Sequence, residues 1–134
     1  MAMKIDHIGV CVSNLEETIK AYCDVLGLKP EEIEIEIRED QNVKTALIPI
    51  AESWIELMAG GPESVPAKFV EQRGQGVHHI AIGVSNIKDE LKTLKARGIP
   101  LIDAEPRIGT DGRKMAFLHP KTTKTLMELV ERDI

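Results

Sequence analysis

The stretch Asp6-His7-Ile8-Gly9-Val10-Cys11-Val12-Ser13-Asn14-Leu15 has a second copy in the same chain, His78-His79-Ile80-Ala81-Ile82-Gly83-Val84-Ser85-Asn86-Ile87. The offset is 72 residues (79 − 7). It pairs His7 with His79, Ile8 with Ile80, Val12 with Val84, Ser13 with Ser85 and Asn14 with Asn86. Self-similarity at a fixed period is the mark of a duplicated structural unit. The same offset carries Ile55-Glu56-Leu57 onto Met127-Glu128-Leu129. Each half therefore supplies one His and one Glu at the same internal spacing.

Outward from the first copy, Lys4 to Val12 reads as a strand of β-branched residues. The period of two puts Ile8, Val10 and Val12 on one face and Ile5, His7, Gly9 and Cys11 on the other. The second face is small except for His7, so it has room to hold something. Ser13 and Glu16 form a capping-box pattern. A helix follows with Leu15, Ile19, Tyr22 and Leu26 on one stripe, ended by Gly27. Glu32 to Ile37 alternates Glu and Ile, a strand with one wet face. Val43 to Ile50 and Ser53 to Met58 are two further strands, the second with Trp54, Glu56 and Met58 on one face. The first half thus reads βαβββ. Gly60 to Pro66 is the expected linker, and Ala67 to Gln72 a short crossing helix. The order then repeats. Val77 to Val84 is a strand, and Asn86 to Arg97 a helix with Ile87, Leu91 and Leu94 inward, closed by Gly98. Pro100 to Ala104, Lys114 to Leu118 and Leu126 to Val130 are strands, with a turn over Gly109 to Gly112.

With 134 residues, the chain is long enough for one domain with a true core. We expect a single domain over residues 1–134, made of two repeats at about 4–60 and 76–131. Aromatic residues are only 3%, so the core must be aliphatic. A net charge of −5 argues against a nucleic-acid partner. No apolar run approaches a membrane span, so no membrane partner is expected. The N-terminus enters a strand without a secretory core. Cys11 and Cys23 have no framework spacing, which points to a reducing cytoplasm.

Imidazole nitrogen and carboxylate oxygen suit divalent ions such as Co, Zn, Mn and Ni. A lone strand Glu is most often on the solvent face, and a lone strand His is more often structural than a ligand. Four residues agreeing at one offset favour a shared ion, which makes His7, Glu56, His79 and Glu128 the candidate metal ligands. Four ligands leave positions open on an octahedral ion for a bidentate substrate. His78, on the opposite strand face, reads as structural. His119 beside Pro120 reads as structural or cleft-lining.

The doubled βαβββ pattern with its His-Glu-His-Glu set resembles the vicinal oxygen chelate superfamily. Within it the sequence is most similar to the methylmalonyl-CoA epimerase family, over nearly the whole chain. The likeness rests on Asp6-His7-Ile8-Gly9-Val10, Tyr22 to Gly27, Gly76-Val77-His78-His79-Ile80-Ala81, Gly98-Ile99-Pro100-Leu101-Ile102 and Phe117-Leu118-His119-Pro120-Lys121. The resemblance implies an α+β fold, two tandem βαβββ modules forming a curved mixed sheet around a metal cleft. It implies a metal-dependent epimerase that interconverts (R)- and (S)-methylmalonyl-CoA by 1,1-proton transfer through a metal-stabilised enolate. His7, Glu56, His79 and Glu128 become the ligands, with Glu128 also catalytic; the family often carries Gln at the Glu56 place. A 1,1-shift needs a proton-transfer group on each face of the planar intermediate. The family's second carboxylate lies on the third strand of the first half, where alignment puts Lys44, so that role is left unassigned. A Gly-Gly pair usual before the last strand is replaced by Thr122-Thr123-Lys124-Thr125, which bears on the acyl pocket. Superfamily members commonly dimerise, so a homodimer is expected.

Arg107, Arg113, Lys114, Lys121 and Lys124 stand against only Asp111 in one stretch. Phosphates of an acyl-CoA partner need such donors, although on charge alone a solvated basic face is the simpler reading. Two alternatives use the same superfamily features. One is a glyoxalase I-like lactoylglutathione lyase with the same ligands. The other is a non-enzymatic binding protein, a class that often lacks the full ligand set kept here.

Overall fold

Alternation along the strands and 3.6-residue periodicity along the helices decide the elements. In the computed structural model, which describes residues 3–109 and 111–134, the order is β1 (Met3–Cys11), α1 (Leu15–Leu26), β2 (Glu34–Arg38), β3 (Val43–Ile50), β4 (Ser53–Gly60), α2 (Val65–Arg73), β5 (Gly76–Val84), α3 (Ile87–Ala96), β6 (Arg107–Ile108), β7 (Lys114–Leu118), α4 (Pro120–Thr123) and β8 (Met127–Glu131). The class is α+β; the first half follows the expected βαβββ order, and the second follows it with a short extra helix, α4, before its last strand. By contacts the chain divides into two units: His7–His78, and the residues up to Asp6 together with His79–Ile134.

In the His7–His78 unit the strands run β2-β3-β4-β1. Strand β1 is parallel to β4, and the other two pairings are antiparallel. Helix α1 covers one face, where Val12, Leu15, Cys23, Ala46, Ile48, Leu57 and Ala59 form the core. The α1 stripe turns inward through Cys23 instead of Leu26, which is 44% exposed in the turn before Gly27. The helix cap also differs from the expected box. Asn14 is the N-cap, and its side chain accepts from the Glu17 N–H. Asn86 does the same for α3 with the Asp89 N–H, so the cap is duplicated at the 72-residue offset (86 − 14). At the far end of β4 the backbone of Gly60 and Gly61 passes so close to Asn42 that a Cβ on Gly61 would meet the Asn42 amide. The expected linker begins inside β4, and the crossing helix α2 starts at Val65, with Ser64 accepting from the Ala67 N–H.

In the other unit the first residues of β1 and then β5, β8, β7 and β6 lie in that order. Strand β5 is parallel to β8, with β7 and β6 antiparallel beyond it. Helix α3 buries Ile87 and Leu91, with Leu94 beside them, against Val84, Ala116, Leu118 and Leu129. One expected strand does not form. Pro100 to Ala104 contributes a single bridge, Leu101 to Leu118, and the edge strand is the two-residue β6 instead. Proline lacks a ladder donor. The Asp103 carboxylate takes the Phe117 N–H at 2.9 Å, and the Ile102 and Asp103 N–H groups both reach the Phe117 carbonyl. Side chain and turn thus replace the ladder. Of the expected Gly109 to Gly112 turn, Thr110 lies outside the described residues, while the Gly112 N–H donates to the Gly109 carbonyl. Helix α4 was not anticipated; its first residue, Pro120, has the fixed φ that suits a helix start.

A charged clamp closes this unit. Asp6 is fully buried and accepts two hydrogen bonds from Arg132, at 2.7 and 3.0 Å. Arg132 also holds Asp111 at 2.8 Å. Fork-on-carboxylate geometry of this kind is the strong form of an ion pair.

Candidate functional site

Residues directly opposed in a sheet share a face, so register places the candidate side chains. Strand β1 sets His7 opposite Trp54, Gly9 opposite Glu56 and Cys11 opposite Met58. His7 and Glu56 therefore lie on one face, the one away from α1. Gly9 leaves space beside Glu56, and His7 Nε2 stands 3.9 Å from Glu56 Oε1. In the other unit the register repeats, with Ala81 opposite Glu128 and Phe117 beyond it. His79 Nε2 lies 3.4 Å from Glu128 Oε1. Both side chains are buried, and the edge of the His79 ring meets Phe117 with centroids 5.9 Å apart.

Each unit thus brings its own His and Glu together. The donor set suits a divalent ion of the N/O type. Two ligands at roughly 2.1 Å from one ion, at tetrahedral or octahedral angles, stand about 3.0–3.4 Å apart. The His79 and Glu128 pair has that spacing, and the His7 and Glu56 pair is about half an ångström wider.

Cys11 lies at the bottom of the same face, fully buried. Burial, and then the nearby Glu56 charge, push its thiol up to about 11, so it stays protonated and is no nucleophile. Both cysteines are free and buried. Lys44 points away from the His7 face. It shares the side of Ala46 and Ile48, and its Nζ holds Glu16 at 2.9 Å. That contact keeps the Glu16 carboxyl below its ordinary range. His78 is structural, packed edge-on against Phe69 at 5.1 Å; burial and then Arg73 lower its pKa. His119 is structural too: its Nδ1 accepts from the Lys121 N–H as the cap of α4. In the basic stretch, Arg107 is taken up by Asp103 and lies over the Phe117 ring, and Arg113 stands 3.8 Å from Asp133. Sequence reasoning missed Glu36 and Thr45, which register places on the His7 face. Strand alternation carried the signal for both, but the pairing that relates the strands is not written in it.

Residues 6–117 match the glyoxalase/bleomycin resistance protein/dioxygenase superfamily. The chain belongs to that superfamily. Among superfamily members, the mitochondrial methylmalonyl-CoA epimerase of Dictyostelium discoideum is 32% identical over 132 residues, 96% of this chain and 78% of that protein. A hypothetical protein from Bacillus halodurans of known structure is 38% identical, with a TM-score of 0.90, over 100% of this chain and 97% of its own. A variant of the Streptomyces coelicolor methylmalonyl-CoA epimerase, solved in complex with 2-nitronate-propionyl-CoA, is 30% identical with a TM-score of 0.83 and covers 98% of both chains. The superfamily relationship therefore extends to enzymes of the epimerase class. Among the described residues no helix is long and apolar enough to cross a membrane.

Proposed function

We propose that the chain is an epimerase of methylmalonyl-CoA, or of a closely similar 2-carboxyacyl-CoA, interconverting the (R) and (S) forms by 1,1-proton transfer. One observation carries the reading. The same His–Glu pair recurs in the same parallel register in both halves of a chain whose relatives include methylmalonyl-CoA epimerases. On this reading residues 1–134 form one domain whose curved sheet surrounds a cleft, and His7, Glu56, His79 and Glu128 share one divalent ion. An ion of the Co, Zn, Mn or Ni class held there supplies stabilisation for negative charge on the substrate's carbonyl and carboxylate oxygens.

The protein's own groups carry the rest. Removing a proton beside a thioester carbonyl shifts charge onto oxygen, so the site must hold that oxygen and exclude water. Glu128, buried and one strand from His79, takes the proton-exchanging role on this reading. In one unit Gly9 leaves room beside Glu56; in the other Ala81 stands opposite Glu128 and the Phe117 ring packs against His79. Lys114 and Lys121 are the cations of this stretch left for CoA phosphates once Arg107 and Arg113 are engaged and the Lys124 ammonium donates to the Lys121 carbonyl. Two free buried thiols fit work in a reducing cytoplasm, and the homodimer is carried over from the superfamily resemblance.

The test is proton exchange. Purified protein incubated with methylmalonyl-CoA in D2O should deuterate the α-position, read by NMR, and should lose that ability when chelated. No exchange, together with turnover of a glutathione hemithioacetal, overturns the reading in favour of a lactoylglutathione lyase.

A further inference from the structure

A 1,1-proton shift needs two proton-transfer groups, and Lys44 is turned to the helix side. Register identifies what does face the His7 side. Glu36 on β2 stands opposite Thr45 on β3, Thr45 opposite Met58 on β4, and Met58 opposite Cys11 on β1. The neighbouring row is Glu34, Leu47, Glu56 and Gly9. Glu36 and Thr45 therefore share the face of His7 and Glu56, one row along from Glu56.

Two further observations concern this row. Thr45 is 7% exposed, and its Oγ1 is buried without a hydrogen-bond partner among the described residues. A buried hydroxyl left so is costly and is kept where something else completes it. Glu36 is half-buried, unlike the exposed Glu34, and its carboxylate forms no ion pair among the described residues. Cross-strand partners stand about 5 Å apart at Cβ, so one small polar ligand can reach both groups.

We infer that Glu36 is the second proton-transfer carboxylate, and that the Thr45 hydroxyl beside it donates a hydrogen bond to a substrate oxygen. This rests on the epimerase reading and deepens it. The Glu36 carboxylate takes the α-hydrogen as a proton. The C–H pair moves into the bond between Cα and the thioester carbon, and the carbonyl oxygen takes the negative charge. A proton delivered to the other face from the acid form of Glu128 gives the opposite configuration. The roles exchange in the reverse direction, and solvent exchange resets both carboxyls.

The experiment compares Glu36→Gln, Glu34→Gln and Thr45→Val using each enantiomer of methylmalonyl-CoA separately in D2O. Glu36→Gln should slow epimerisation by about 100-fold or more, while Glu128 alone still exchanges the α-proton of one enantiomer without inversion. Glu34→Gln should stay within about threefold of the parent. Thr45→Val removes a hydroxyl that makes no hydrogen bond with the described residues, so Tm should hold or rise while KM increases about tenfold. A Glu36→Gln protein that epimerises within about threefold of the parent overturns the inference and leaves the epimerase reading standing. So does a Thr45→Val protein with lower Tm and unchanged KM. A parent protein that neither exchanges nor epimerises sinks both.

Discussion

At the scale of single residues, the chemistry depends on which side chains share a face. His7 and Glu56, and His79 and Glu128, were legible because the duplication marks them twice: a residue repeated at 72 positions' remove stands out from a solvent-facing Glu. Glu36 and Thr45 occur once each, and only inter-strand register relates them to Glu56. Lys44 shows the same limit from the other direction. Its place in the sequence suggested the missing carboxylate's position, and the pleat turns it to the opposite face. On the metal reading His79→Ala should remain folded and lose bound ion, with a rate loss beyond the 10- to 100-fold typical of a missing outer-shell partner; metal analysis and circular dichroism check it. Glu128→Gln should reduce rate more than ion content, since the amide still offers an oxygen but cannot accept the proton; paired kinetics and metal analysis separate the two.

At the scale of elements, the strands, most of the helix stripes and the duplicated order were readable from periodicity, but the pairing of the strands was not. The edge at β2 was anticipated; the edge in the second half was not. Proline at 100 and a carboxylate at 103 replace a ladder with a turn, and a pattern of apolar residues carries no notice of that. The caps were half-readable. Both the Ser and the Asn of the Ser-Asn pair are good caps, and only the structure shows Asn14 and Asn86 doing the work. Asn14→Ala and Asn86→Ala should each cost about 1 kcal/mol, seen as a lowered denaturant midpoint with unchanged slope. Gly60→Ala sets a methyl against the Asn42 backbone carbonyl oxygen, which cannot swing aside as the Asn42 amide can. It should destabilise by roughly 1–3 kcal/mol, the range for overpacking, seen as a lowered denaturant midpoint.

At the scale of the whole molecule, the clamp of Asp6, Arg132 and Asp111 ties three distant points of the sequence. Arg132→Met removes the guanidinium fork from the buried Asp6 carboxylate and should cost on the order of 3–5 kcal/mol, measured by equilibrium unfolding. Asp111 gives a pH signature. Burial alone would raise its pKa, but hydrogen bonds from the Arg113 N–H and Arg132 outweigh that and hold it below the ordinary 3.8. A depressed carboxyl adds stability above its unfolded value and loses it as pH falls through the folded one. Asp111→Asn should therefore be less stable than the parent near neutrality, by about 0.5–1 kcal/mol after allowing for its exposure. Thermal melts should show that gap closing as pH falls below the ordinary carboxylate range.

The parallel registers of β1 with β4 and β5 with β8 also fix an order of events during synthesis. Each imidazole leaves the ribosome 49 residues ahead of its carboxylate (56 − 7, and again 128 − 79). A nascent chain stopped just short of Glu56 has β1 to β3 complete and only the first three residues of β4, and no His–Glu pair at all. Each half's pair is thus a product of finished chain topology, and a ribosome-stalled fragment series should gain it in a single step as β4 emerges.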